Sequence, residues 1–341
     1  MLVSVQALRA LAAWIVVFHH FMQVFFGFQA DNWVEYLLST RGQVGVDIFF
    51  VISGFVITVS TRGKRLSMPQ FLLQRCARIV PAYWLYTAIT ALVIVFTSDV
   101  MPEYGFSVIG LVKSLLFIPA ENPAGYGYYP ILPVGWTLNF EMLFYLVFAA
   151  SLLLARPWRL WGLVIAIVAI NTLFAPQPFI SSFYSDPIIF EFLLGVGIGV
   201  YYARHGLPTG RLWPLLLIGL SVATLLAFDD PSGAQRFFAW GLPSALLVIA
   251  CIALEPYIGD NRVFKRMGDW SYSTYLLHVI VLWCGNYLLT QRLGLGPYLT
   301  LAICLPIIAL LSWISFELVE KRLSRRIKRW LPAPRTTAVS A

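Results

Sequence analysis

Charge is what this sequence has least of. Only 12% of its 341 residues are Asp, Glu, Lys or Arg, while 59% are hydrophobic and the mean hydropathy is +0.77. Soluble domains carry about 25% charged residues, so half the usual solubilising charge is missing and a water-soluble globular protein is excluded. Cysteine is scarce as well. Cys76, Cys251, Cys284 and Cys304 lie in or at the edge of apolar segments without ligand-like spacing, which argues against a disulfide framework and against a zinc site. No basic cluster precedes the first apolar run and no small-residue cleavage site follows it, so the first helix is expected to be retained. Internal repeats, a soluble domain and low-complexity linkers are all lacking. The net charge of +8 is spread as short clusters between apolar runs, a pattern that orients a chain in a bilayer rather than binding nucleic acid.

What is present is a series of apolar runs of roughly 17–22 residues, about the length that crosses a hydrocarbon core as a helix. Ten spans are expected, at 8–28, 46–60, 79–97, 136–155, 160–175, 187–203, 212–228, 237–255, 271–290 and 297–320. The fold class is therefore all-α, a polytopic membrane helical bundle of about ten transmembrane helices. With the N-terminus in the cytoplasm, 20 of the 24 Lys and Arg residues fall on the cytoplasmic side, and only Arg41, Lys113, Arg236 and Arg292 fall outside. That asymmetry places both termini in the cytoplasm. Residues 1–325 read as one membrane domain and 326–341 as a basic cytoplasmic tail. Segment 107–118 is apolar but short and carries Lys113; a crossing there would reverse every later loop, so it is expected to be an interfacial or re-entrant piece on the outer side.

Ionisable side chains inside a bilayer are costly, which makes each one a functional candidate. Arg9 and His20 lie eleven residues apart in the first span; at 100° per residue they share a helix face to within about 20°, with a rise of about 16 Å. His19 falls about 80° away on the same geometry. A neutral imidazole near mid-membrane can act as a general base, or simply bond a neighbouring helix. Arg75 and Arg78 are helical neighbours at the threshold of the third span, a pairing that suits phosphate recognition and also ordinary interfacial anchoring. Asp47 opens the second span. Trp136 and Glu141 open the fourth, with Tyr145 one turn beyond, and Glu191 sits inside a later apolar run. Carboxylates flanked by aromatic rings suit sugar hydroxyls. Ser271, Tyr275 and His278 form a polar stripe within about 40° on the ninth span, facing ligand, water or another helix rather than lipid. Glu317 and Glu320 are expected to pair with nearby basic residues.

Taken in order, the Arg9–His20 spacing, Gly45–Phe55, Arg75/Arg78–Pro81–Tyr83–Trp84, Trp136–Glu141–Tyr145 and Ser271–Tyr275–His278 resemble acyltransferase family 3, over roughly residues 4–325. The resemblance is to single-domain members that acetylate exopolysaccharides and O-antigens. It implies transfer of an acyl group from cytoplasmic acyl-CoA, above all acetyl-CoA, to a hydroxyl of an exopolysaccharide, O-antigen or lipid-linked glycan, in a bacterial inner membrane and without a metal. On that basis Arg9, Arg75 and Arg78 would hold the CoA phosphates and His20 would be the general base. Asp47 and Glu141 would assist His20 or orient the acceptor, and Trp136, Tyr145, Ser271, Tyr275 and His278 would contact substrate. Direct transfer and a covalent acyl intermediate on His20 or Ser271 are both open, as is the role of His19. A transporter or flippase for a lipid-linked sugar is the alternative, although it leaves the Arg75/Arg78 pair without a role.

Overall fold

The computed structural model describes residues 2–177, 181–229, 231–329 and 335–336. Among these residues, nine helices are long and apolar enough to cross a membrane. They are α1 (Val3–Phe26), α2 (Val44–Thr61), α3 (Met68–Phe96), α4 (Pro133–Ser151), α5 (Arg156–Phe174) and α6 (Pro187–His205), followed after the shorter α7 (Leu212–Ala227) by α8 (Gly233–Ile258), α9 (Arg262–Arg292) and α10 (Pro297–Lys321). The ten expected spans are all helical; α7, at 16 residues, falls short of the roughly 20 that a full crossing takes. Beyond the helices the described chain has one two-residue antiparallel pairing, Lys64–Arg65 with Arg335–Thr336. The expected tail at 326–341 begins within a helix, Arg322–Arg329; its residues 330–334 and 337–341 lie outside the described residues.

Two boundaries differ from the hydropathy reading for identifiable reasons. Helix α1 begins at Val3 rather than near residue 8 because the Glu255 carboxylate, at the end of α8, accepts hydrogen bonds from the amides of Val3 and Ser4 at 2.8 and 2.7 Å. A carboxylate at a helix N-terminus satisfies orphan donors and complements the dipole. Helix α3 begins at Met68 rather than 79, because Ser67 and Gln70 form a reciprocal capping box with proline in the first turn. Arg75 and Arg78 are therefore inside a helix, and Pro81 is an interior residue, not an early-turn one. The segment read as interfacial or re-entrant is a helix of eight residues, Val108–Leu115, about 12 Å long and too short to cross. It is tied to α3: Tyr83 donates to the Ser114 carbonyl at 3.1 Å and the Trp84 indole to that of Leu115 at 2.9 Å.

Helix α1 packs chiefly on α9, and α2 on α6. Close approach rests on glycine. A Cβ at Gly195 would lie 1.9 Å from the Val51 carbonyl oxygen, and one at Gly54 would lie 2.1 Å from that of Phe192. Backbones that meet this closely gain packing energy that no apolar solvent effect supplies within lipid. The same logic joins α1 to α9, where a Cβ at Gly268 would lie 2.4 Å from the Gln6 carbonyl. Stacked rings of Phe50, Phe192 and Phe144, with centres 4.4 and 4.6 Å apart, fill the space between α2, α4 and α6.

These contacts predict that Gly195→Ala costs about 3 kcal/mol through overpacking against backbone. Gly197→Ala, where nothing lies within 4 Å, should be neutral or slightly stabilising in the helix. Thermal-shift measurements in detergent check the contrast between the two neighbouring glycines.

Candidate active site

The long helices bring most of the candidate side chains to one cavity, with about 760 Å³ of atom-free space that is partly continuous with solvent. Arg9 from α1, Ser53 from α2, Arg75 and Arg78 from α3, Thr137, Glu141 and Tyr145 from α4, and Tyr272 and Tyr275 from α9 all line it. Helical spacing explains the set: Arg75 and Arg78 are three apart, Glu141 and Tyr145 four apart, so each pair shares a face.

The cavity wall is unevenly charged. Three guanidiniums face it against a single carboxylate. Among the described residues no ion pair within 4.0 Å joins Arg9, Arg75 or Arg78 to an acid. Arg9 donates to the Gln6 amide oxygen at 3.1 Å, and Gln6 in turn donates to Asp269. Arg75 donates to Ser60 at 3.2 Å and lies over the rings of Phe71 and Tyr145, at 5.3 and 6.0 Å from their centres. Glu141 is held otherwise: it accepts hydrogen bonds from Ser53, at 2.8 Å, and from the Tyr145 hydroxyl. Arg9 is buried and Arg75 and Arg78 are half-buried; cations without an ion-paired acid and with an open cavity before them suit an anionic group, since an uncompensated charge away from water is costly.

His20 does not line this cavity. It lies partly exposed farther along α1 and meets His278 of α9 across the helix interface, with 3.2 Å between His20 Nδ1 and His278 Nε2. Tyr275 lines the cavity beside Phe49, their rings 5.7 Å apart. The Tyr275 ring centre is 6.0 Å from that of His278. Its hydroxyl donates to the Val134 carbonyl and lies 3.0 Å from the Thr137 hydroxyl. Arg9 and His20 thus lie along one helix, but of the two only Arg9 lines the cavity. His19 instead approaches the Leu38 carbonyl, 3.0 Å from its Nδ1, and its ring lies beside Phe28.

The remaining candidates are placed elsewhere. Asp47 is fully buried, and both its oxygens accept hydrogen bonds from Arg236, at 3.1 and 2.8 Å. Glu191, also fully buried, neighbours the same arginine. Glu141 bonds to Ser53 and Tyr145 and not to His20. Trp136 packs edge-on against Phe140, with centres 6.1 Å apart, and is not part of the cavity wall. Ser271 returns its proton to the Gly268 carbonyl of its own helix at 2.7 Å. Glu317 pairs with Lys321 as expected, whereas buried Glu320 accepts from Ser273. Sequence reasoning did not single out Ser53, Thr137, Tyr272, Phe49 or Arg236. Only Tyr272 had a usable signal, since it adjoins the polar stripe of α9. Among the described residues no group of acids, cysteines and histidines suits a metal ion.

The bidentate Arg236–Asp47 pair predicts a stability phenotype. Asp47→Leu alone leaves a buried guanidinium without its carboxylate and should cost about 3–5 kcal/mol. Combining it with Arg236→Met should recover most of that loss. Melting temperatures of the two variants in detergent check the coupling, and a double variant no more stable than the single one would contradict it.

Comparison with known proteins agrees with this architecture. A family model described as an acyltransferase domain matches residues 2–317. The chain is 34% identical over 306 residues to the exopolysaccharide production protein ExoZ of Rhizobium meliloti, covering 84% of this chain and 91% of that one. It is 29% identical over 333 residues to the acyltransferase MdmB of Streptomyces mycarofaciens, covering 85% and 81% respectively. It is also 26% identical over 321 residues to the peptidoglycan O-acetyltransferase OatA of Listeria monocytogenes, covering 81% of this chain but 48% of that longer protein. No solved structure matches the chain. With a family model spanning nearly its whole length, this multi-pass membrane protein belongs to the acyltransferase 3 family.

Proposed function

We propose that the protein transfers an acyl group, acetyl in the first instance, from cytoplasmic acyl-CoA to a hydroxyl of a cell-surface or extracellular polysaccharide, working in a bacterial inner membrane. The observation that carries this reading is the cavity wall with three arginines and one carboxylate. Coenzyme A is a polyanion whose phosphates guanidiniums recognise through paired hydrogen bonds. Arg9, Arg75 and Arg78 hold that end of the donor. The thin pantetheine arm extends along α1 and parts Phe49 from Tyr275, bringing the thioester to His20 about 16 Å from Arg9.

At His20 the acceptor hydroxyl gives its proton to the imidazole as its oxygen attacks the thioester carbonyl. The new C–O bond forms, the C–S bond breaks, and the thiolate leaves with the proton that His20 returns. Such general-base help contributes about 10²- to 10⁴-fold, so positioning of the two substrates supplies much of the remainder. Glu141, fixed by Ser53 and Tyr145, offers a hydrogen-bond acceptor to polar groups of the donor arm, and Tyr275 and Thr137 border the arm's path. The acceptor approaches from the opposite end. There Gln23, one helical turn beyond His20, donates to the Tyr126 hydroxyl at 3.1 Å, and the rings of Tyr104 and Tyr129 flank Tyr126 at 5.4 and 5.5 Å. Aromatic faces beside a general base suit the apolar faces of a sugar. The exopolysaccharide and peptidoglycan assignments of the relatives support a glycan acceptor.

Purified protein given radiolabelled acetyl-CoA and candidate glycans should transfer label. Transfer should be lost in His20→Ala and kept in His19→Ala. Arg75→Ala and Arg78→Ala should weaken CoA binding at least tenfold without changing membrane insertion. Movement of a lipid-linked sugar with no consumption of CoA would reject the enzyme in favour of a transporter, and normal CoA binding by both arginine variants would reject the donor site.

A further inference from the structure

Hydrogen-bond bookkeeping fixes where the protons sit in the His20–His278 pair. His278 Nδ1 lies 3.1 Å from the Thr274 carbonyl oxygen. A carbonyl only accepts, so that nitrogen bears the proton, and the other nitrogen of a neutral imidazole carries a lone pair. His278 Nε2 is therefore an acceptor. His20 Nδ1 faces it at 3.2 Å and also lies 3.0 Å from the Val16 carbonyl. With acceptors on both sides, His20 Nδ1 bears the proton, and the lone pair of His20 is on Nε2. The chain of bonds runs from His20 to His278 to the Thr274 backbone, and each link has one donor and one acceptor.

We infer that His278 is a positioning residue for His20, holding the tautomer in which Nε2 is the proton acceptor and stabilising the imidazolium formed when Nε2 takes the acceptor's proton. This inference rests on the reading of His20 as general base. It gives His278 the part that a carboxylate plays in hydrolytic triads, that of a third group orienting the base, but without placing a negative charge in the bilayer. Burial makes the difference. His278 is fully buried at the α1–α9 interface, where an unpaired carboxylate would be far costlier than a neutral ring. The titratable groups that bear on His20 are His278 on α9 and His19 on its own helix, and neither brings a carboxylate. The Val16 carbonyl is the second acceptor. It keeps the Nδ1 proton in place if His278 is removed, so loss of His278 should reduce turnover without abolishing it.

The test uses the full-length enzyme in detergent or nanodiscs with three variants. His278→Gln retains a side-chain oxygen able to accept from His20 Nδ1, whereas His278→Leu and His278→Phe fill the space without an acceptor. The Leu and Phe variants should lose about 10- to 100-fold in kcat with the KM for acetyl-CoA within twofold of wild type, and Gln should recover at least a third of the lost activity on a logarithmic scale. Equal kcat for Leu and Gln, in variants of wild-type melting temperature, would overturn the role of His278. A wild-type kcat for Leu or Phe would do the same. His20→Ala separates the two claims: if it still transfers label, the base assignment itself fails. If His20→Ala is inactive while every His278 variant behaves as wild type, only the positioning role fails.

Discussion

A guanidinium in a membrane protein must find an anion, water or a carbonyl, and the way this chain answers that demand organises the molecule. Arg236 takes Asp47 as its counter-ion and becomes a buried strut between α2 and α8. Arg9 and Arg75 receive only neutral acceptors, Gln6 and Ser60, and with Arg78 they face a cavity. The same residue type thus produces a closed pair in one place and an unsatisfied cluster in another. The difference is whether, among the described residues, a carboxylate lies within ion-pairing distance. A cluster left positive at one end of the bundle suits an anionic ligand, for which we propose a thioester of coenzyme A.

The second constraint is the α1–α9 interface. Close backbone contact at Gly268 sets the two helices near enough for His20 and His278 to touch about 16 Å along α1 from Arg9. One helix pair therefore carries Arg9, at the cavity, and the His20–His278 contact. In the proposed reading the donor's charged end is held near the start of α1, and the proton acceptor waits near its far end. Tyr275, beside Phe49 in the cavity wall, also lies next to His278.

Much of the fold was legible in the sequence because a bilayer imposes one length and one polarity on every crossing. Apolar runs separated by short basic loops leave little freedom, and the segment holding the eight-residue helix Val108–Leu115 could be excluded as a crossing on its length, on Lys113 and on the reversal of every later loop that a crossing would cause. The boundaries that were missed depend on capping. The box at Ser67 and Gln70 is local and was readable, whereas the cap on α1 comes from Glu255, some 250 residues away, and leaves no trace in hydropathy. For the site, helical arithmetic grouped Arg9 with His20, Arg75 with Arg78, and Glu141 with Tyr145. It could not say which groups meet across helices. Asp47 looked available for substrate because its partner Arg236 reads as an orientation charge in an outer loop. His278 looked like one member of a polar stripe because His20, 258 positions earlier, is invisible from α9. Ser53 and Thr137 carry no charge and have no periodic signal at all.

The central claim is that the arginine cavity and the histidine pair belong to one path for one donor molecule. A cryo-electron microscopy structure of the full chain in a nanodisc with a non-hydrolysable acetyl-CoA analogue tests it most directly. The account predicts phosphate groups within hydrogen-bonding distance of Arg9, Arg75 and Arg78, Phe49 and Tyr275 parted around the pantetheine arm, and the acyl carbonyl beside His20 Nε2. An analogue bound at another surface, or one held by the arginines with its acyl end directed away from α1, would contradict it.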